Sequence, residues 1–356
     1  MALPTLPRLL SNFAHLLQST FFPAVEEEIG ELSELAKRLT IILNLIPLSR
    51  FIPVSRGWNG RPSLDRVAIA SAFVAKAVYN FPTTRHLLDR LHSDPQLRKI
   101  CGWDRESDVP HESAFSRAFA EFALMELPQL VHEALISETQ GSRLVGHIAR
   151  DSTSIEAREK FPETAAQKRA KASKTKPPKK TKKKKRKPGP ARKGETPAAK
   201  ELTRLQRQRR MLSAAEMLKE LPRECSIGCK TNSQGHTSCW RGYKLHLDVA
   251  DGQIPIAAVL TGASVHDSQV AIPLATITAQ RVVSLYDLMD AAYDAKEIHE
   301  HSRGLGHVPI IDPAQRVGPR RSIIGPFKLP RQFSPAERER YKERTMSERV
   351  NGPAER

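Results

Sequence analysis

The chain has 356 residues, with 57 Lys and Arg against 39 Asp and Glu, a formal net charge of +18, and 39% hydrophobic residues. That is enough apolar chain for two domains with their own cores, which excludes a wholly disordered protein. No run approaches the roughly 18–20 uninterrupted apolar residues of a membrane span, and four cysteines fit reduced thiols better than a secreted disulfide scaffold. The amino terminus (MALPTLPRLLSNF) has no basic segment leading into a clean apolar stretch, so a cytoplasmic location is expected.

The first 60 residues are weakly patterned. Leu9, Leu10, Phe13, Leu16 and Leu17 fall at helical spacing, and a second apolar stretch runs from Leu39 to Ile46. From Arg61 the signals sharpen. Pro62 and Ser63 read as the start of a helix through Val67, Ile69, Phe73 and Val78, which Phe81 and Pro82 stop. Thr83 and Thr84 offer the next cap, for a helix carrying Leu87, Leu88, Leu91 and Leu97 to Cys101 and Gly102. Pro110 and Ser113 then open a helix along Phe115, Phe119 and Phe122. Short helices with tight turns suit a domain of helix-turn-helix character or, equally, a plain packed bundle.

The period changes at HIARDSTSI (His147 to Ile155), which is short, β-branched and bounded by polar residues, as a strand should be. Strand signals then vanish. Between Lys168 and Lys193 stand 15 Lys and Arg and no acid; without this run, 42 basic residues face 39 acidic ones, so the basicity is local. Residues 157–224 therefore read as a disordered basic insert followed by a charged helical stretch from Glu201 to Leu212. The Lys182, Lys183, Lys184, Lys185 and Arg186 cluster is suited to salt-dependent, sequence-independent contact with DNA phosphates, although such a run can also be merely solvated.

RGYKLHLDVADGQIPIAAVLTGAS alternates around Asp251 and Gly252 as a β-hairpin. A helix (His266 to Gln280), a buried strand (Val282 to Asp290), a second helix ending at Gly304 or Gly306, a strand (His307 to Pro313) and a last helix from Pro335 follow. The order implies a mixed α/β sheet flanked by helices, behind an all-α amino-terminal domain: 1–140 helical, 141–356 α/β.

Asp151 lies within the first strand and Asp290 at the end of the buried one, where carboxylates can converge to bind a divalent metal or perturb one another. Tyr341, Arg344 and Glu348 share one helix face and could deliver Glu348 to the same point; alone, this face reads as a salt-bridged surface helix. Cys225, Cys229, His236 and Cys239 have the spacing C-x3-C-x6-H-x2-C, which is an uncommon zinc pattern and reads equally as reduced thiols in a loop. His266 and Asp267 look like a dyad, but they begin a helix, where Asp is a natural cap; Asp294 reads as a helix-start residue. Ser152 lacks the nucleophile elbow of a hydrolase.

VHDSQVA (Val265 to Ala271), LMDAAYDAKEI (Leu288 to Ile298), RGYKLHLDV (Arg241 to Val249) and YKERTMSERVNG (Tyr341 to Gly352) together resemble the catalytic domain of bacterial insertion-sequence DDE transposases of the four and five groups. GRPSLDRVAIASAFVAKAVYNFPTTRHLLDRL is similar to that family's DNA-binding region. The resemblance implies an RNase H-like fold in which Asp151, Asp290 and Glu348 are the catalytic acids and hold two Mg2+ or Mn2+ ions. Tyr341 and Arg344 would then grip DNA. The implied partners are the element's terminal inverted repeats and target DNA, with a homo-oligomer pairing two ends, no membrane, and a bacterial, nucleoid-associated location. The family's Lys seven residues after the Glu is Glu355 here, so the resemblance also raises a carboxyl-terminal truncation, with Pro353 ending the helix early, and a DNA-binding remnant without activity as the alternative.

Overall fold

The computed structural model describes residues 30–46, 48–52, 64–157, 201–231, 236–313 and 333–354. Leu9 to Leu17, Pro62 and Ser63, and the Lys182 to Arg186 cluster lie outside the described residues. The chain forms two compact units, residues 1–142 and 143–356.

In the first unit, α1 (Glu34–Leu45), α2 (Leu48–Phe51), α3 (Arg66–Val78), α4 (Thr84–Ser93), α5 (Pro95–Cys101), α6 (Glu112–Leu124) and α7 (Leu127–Gln140) enclose one core. The caps explain the breaks. Asp65 accepts from the amides of Val67 and Ala68 and opens α3, so the cap falls two residues beyond Ser63. Thr83 caps α4 as its sequence implied. The single helix expected from Thr84 to Cys101 is two helices, because Asp94 caps the second and Pro95 occupies its first turn. Gly102, at φ +107°, ends it in a conformation that favours glycine. Phe73 then meets Phe115 and Phe122 edge-on at 5.8 and 6.4 Å, tying α3 to α6.

The second unit is built on a mixed sheet. Its strands are β1 (Leu144–Glu156), β2 (Ser226–Thr231), β3 (Thr237–Ala250), β4 (Ile254–Gly262), β5 (Val283–Met289) and β6 (Val308–Ile311), in the order β2-β3-β1-β5-β6, with β4 also pairing β3. β1 is antiparallel to β3 and parallel to β5, and β5 is parallel to β6. Helices α8 (Arg204–Gln208), α9 (Ala214–Lys219), α10 (Ser268–Arg281), α11 (Lys296–Gly304), α12 (Pro335–Tyr341) and α13 (Thr345–Ala354) flank it. The expected architecture, a mixed α/β sheet flanked by helices, is present and is consistent with an RNase H-like domain.

The structure differs from the sequence expectation in two segments. Residues 203–221 belong to the core rather than to an insert looping out of it. Met217 packs with Ala271, Ile272 and Met289, and the fully buried Gln208 donates to the carbonyl of Gln269 at 2.9 Å. The cysteine segment is not a loop or a zinc knuckle. Cys229 and Cys239 face each other across β2 and β3 and are disulfide-bonded, while Cys225 is a separate buried thiol and His236 is exposed. The sequence concealed β2 because its Gly and Lys break the apolar alternation; Gly228 is needed because a Cβ there would come within 2.5 Å of the Trp240 ring.

Candidate active site

Strand register brings the first two acids together. β1 and β5 run parallel with Arg150 opposite Met289, so the next residues, Asp151 and Asp290, stand side by side at the same end of the sheet. Both are only partly exposed. Burial raises the pKa of the Asp151 carboxyl, and the charge of Asp290 raises it further, against the opposing effects of the Ser152 backbone, Arg344 and Lys230. Burial likewise raises Asp290, with Asp267 adding to the shift. Asp290 caps a short 3-10 turn, Ala291–Tyr293, by accepting from the Ala292 amide at 3.0 Å, which fixes one of its oxygens.

The third acid is placed differently. The last helical segment runs through α12, a 3-10 turn (Lys342–Arg344) and α13, which extends one residue past Pro353. α13 buries Met346, Ser347 and Asn351 in the fold, leaving Glu348 at the shoulder. Glu348 is 56% exposed and accepts from Arg344 Nη2 at 3.0 Å. Asn351, one turn further on, reaches Asp151 instead, donating from Nδ2 to its Oδ2 at 3.3 Å. Tyr341 packs beside Phe333, and the Arg344 guanidinium lies 5.8 Å from the Tyr341 ring centre. Arg344 carries positive charge towards Asp151, Asp290 and Glu348 together.

Arg150 and Lys230 carry no signal of their own in the sequence. Arg150 is buried and ion-paired with Asp248. Asp267 occupies the N-cap position of α10, as its sequence implies, but its carboxylate makes no capping bond and accepts from Lys244 Nζ at 3.0 Å, while His266 bonds Ser268. Asp294 stands in the turn before α11 and pairs with His299 at 3.1 Å. The signal for Asn351 was available, since it follows Glu348 by three residues on one helix face; that for Lys230 was not, because it required β2.

Two neighbouring carboxylates are hard oxygen ligands of the kind a divalent cation takes, and beside them the buried Oδ1 of Asn351 is an acceptor without a partner among the described residues, so this end of the sheet fits one. Among the described residues, however, no group of three or more His, Cys, Asp or Glu is close enough to form a complete cage.

An RNase H-like sheet with paired acids at adjoining strand positions defines a class of enzymes acting on nucleic-acid phosphodiesters. Residues 27–121 match a family described as a transposase domain, and residues 222–353 match the transposase DDE domain. The chain belongs to the DDE transposases. No curated protein and no solved structure matches it. Among the described residues no helix is long and apolar enough to cross a membrane.

Proposed function

We propose that the chain cleaves and rejoins DNA at the ends of an insertion sequence in a reaction dependent on Mg2+ or Mn2+, with Asp151, Asp290 and Glu348 as its catalytic acids. The observation that carries the reading is the register that sets Asp151 beside Asp290, with both carboxyls pushed up by burial and that of Asp151 further by the charge of Asp290. Asp151 and Asp290 would hold the cations, joined by Glu348, which stands one turn before the residue touching Asp151. When bound, two divalent ions would activate the attacking oxygen and stabilise the leaving one.

The remaining steps fall to the protein. Asp290, clamped by the Ala292 amide, presents its other oxygen in a fixed direction. Arg344 and Lys230 supply positive charge beside the acids, which draws in a polyanion and offsets charge building on the phosphate. A guanidinium can grip a phosphate bidentately, so Arg344, with Tyr341 beneath it, is assigned to the DNA backbone. The helical unit would read the terminal inverted repeats, and Lys182 to Arg186 would add nonspecific contact to target DNA. Pairing two ends calls for a homo-oligomer on DNA in a nucleoid-associated setting.

The test is metal-dependent cleavage of DNA carrying the flanking element ends, comparing the wild-type chain with Asp290→Asn at matched salt. Cleavage by the wild type and none by the variant supports the reading. A second reading, a chain that binds ends without cutting them, is favoured by Glu348 being held by Arg344. End binding without cleavage by either protein would select it.

A further inference from the structure

Asn351 is a buried polar side chain, 5% exposed, on the face of α13 that packs against β1. Its amide is half used. Nδ2 donates to Asp151 Oδ2 at 3.3 Å, across 200 residues of chain, while Oδ1 is buried with no partner among the described residues. The opposite orientation of the amide would set two oxygens against each other, so the donor is assigned to the aspartate side. A buried acceptor left empty is destabilising, a cost that a leucine of similar volume would not incur. Packing therefore does not account for the residue. Its neighbours Met346 and Val350 already supply the apolar contacts of this face, with Ala149, Leu247 and Leu288.

We propose that Asn351 is a positioning residue for cation binding. Nδ2 holds one oxygen of Asp151, leaving the other for the cation, and Oδ1 accepts from a water in the cation's hydration shell. Mg2+ and Mn2+ keep several such waters, and outer partners of this kind orient the ligands and set affinity. The proposal rests on the metal-dependent reading above, and it adds an uncharged member of the site from the turn after Glu348.

The test needs no DNA cleavage. Mn2+ binding to the full chain is followed by electron paramagnetic resonance in the wild type, Asn351→Leu and Asn351→Ala, alongside the melting temperature of each protein in chelator. The expected result is Mn2+ affinity about tenfold or more weaker in Asn351→Leu, with a metal-free melting temperature equal to or above that of the wild type. A purely structural asparagine would give the reverse: lower melting temperature and unchanged affinity. Asn351→Ala provides the same comparison if leucine is not accommodated. Wild-type affinity in a folded variant overturns the assignment alone, whereas a wild-type chain that binds no Mn2+ overturns the metal-dependent reading and this assignment with it.

Discussion

Arg150 and Asp248 face each other across β1 and β3 and are joined by two contacts of 2.7 Å, both fully inside the protein and one residue along the strand from Asp151. Asp248 also accepts from Thr278 Oγ1 at 2.6 Å, and Arg150 Nη1 lies 3.3 Å from Met289 Sδ. The pair links β1, β3, β5 and α10 immediately behind the two candidate catalytic strand positions. Removing one partner strands a charge in the interior, at a cost of about 3–5 kcal/mol, whereas replacing both by apolar residues is far less damaging. Asp248→Ala should therefore lose about that much in urea unfolding, and Arg150→Met with Asp248→Leu much less. A single variant within 1 kcal/mol of wild type would contradict the arrangement.

The acids at the site should make the metal-free fold sensitive to pH. Burial raises the folded-state pKa of Asp151 above its unfolded value. The stability associated with this group is then fully present below the unfolded pKa and is lost as pH rises through the folded pKa. Asp151→Asn removes that penalty. In chelator, its melting temperature should exceed that of the wild type at pH 8, with the difference closing towards pH 4. An equal or lower melting temperature at pH 8 would show that the carboxylate is not penalised.

Divalent cation should reverse the same effect. A ligand binding only the folded chain stabilises it by about 2.7 kcal/mol at one hundred times its Kd. Mg2+ or Mn2+ titration should raise the wild-type melting temperature and leave Asp290→Asn nearly unmoved. Equal shifts in both proteins would place cation binding elsewhere.

The four cysteines divide into a disulfide, Cys229–Cys239, and two buried thiols, Cys101 and Cys225. Burial pushes the Cys101 thiol up to about 12, so it should be inert in the native state. Alkylation of denatured protein without reductant should label two cysteines, and four after reduction. Loss of the bridge through Cys229→Ser and Cys239→Ser should cost about 2–3 kcal/mol, because it closes a short loop. Four labelled cysteines in unreduced protein would refute the bridge.

Arg344 is assigned to a phosphate, so its loss should be felt by any DNA sequence. Arg344→Ala should weaken binding of element ends about tenfold and reduce the slope of log affinity against log salt by about 1. A sequence-selective loss at unchanged slope would instead mean base contact.

How much of this was legible beforehand differs from element to element. Asp65, Thr83 and Asp94 act within one helical turn, so short-range sequence can signal such caps; Thr83 is legible as one, whereas Pro62 masks Asp65 and the continuous apolar period from Leu87 to Leu97 masks Asp94. The β3–β4 hairpin was legible for the same reason, since Asp251 and Gly252 form its turn locally. β2 was not, because an edge strand containing Gly228 and Lys230 is specified by its partner β3 rather than by its own alternation.

The sequence by itself determined the α/β class, the helical unit ahead of it and the candidacy of Asp151, Asp290 and Glu348, because strand ends and helical periodicity are local properties. Only the tertiary structure decided which of these side chains meet. Parallel register set Asp151 beside Asp290, a pairing of residues 139 apart that no local pattern encodes. The packing of Met346, Ser347 and Asn351 fixed the rotation of α13, which turned Asn351 to Asp151 and left Glu348 with Arg344. A helix has one rotation about its axis, and its buried face sets it; the face carrying chemistry must take the orientation that remains.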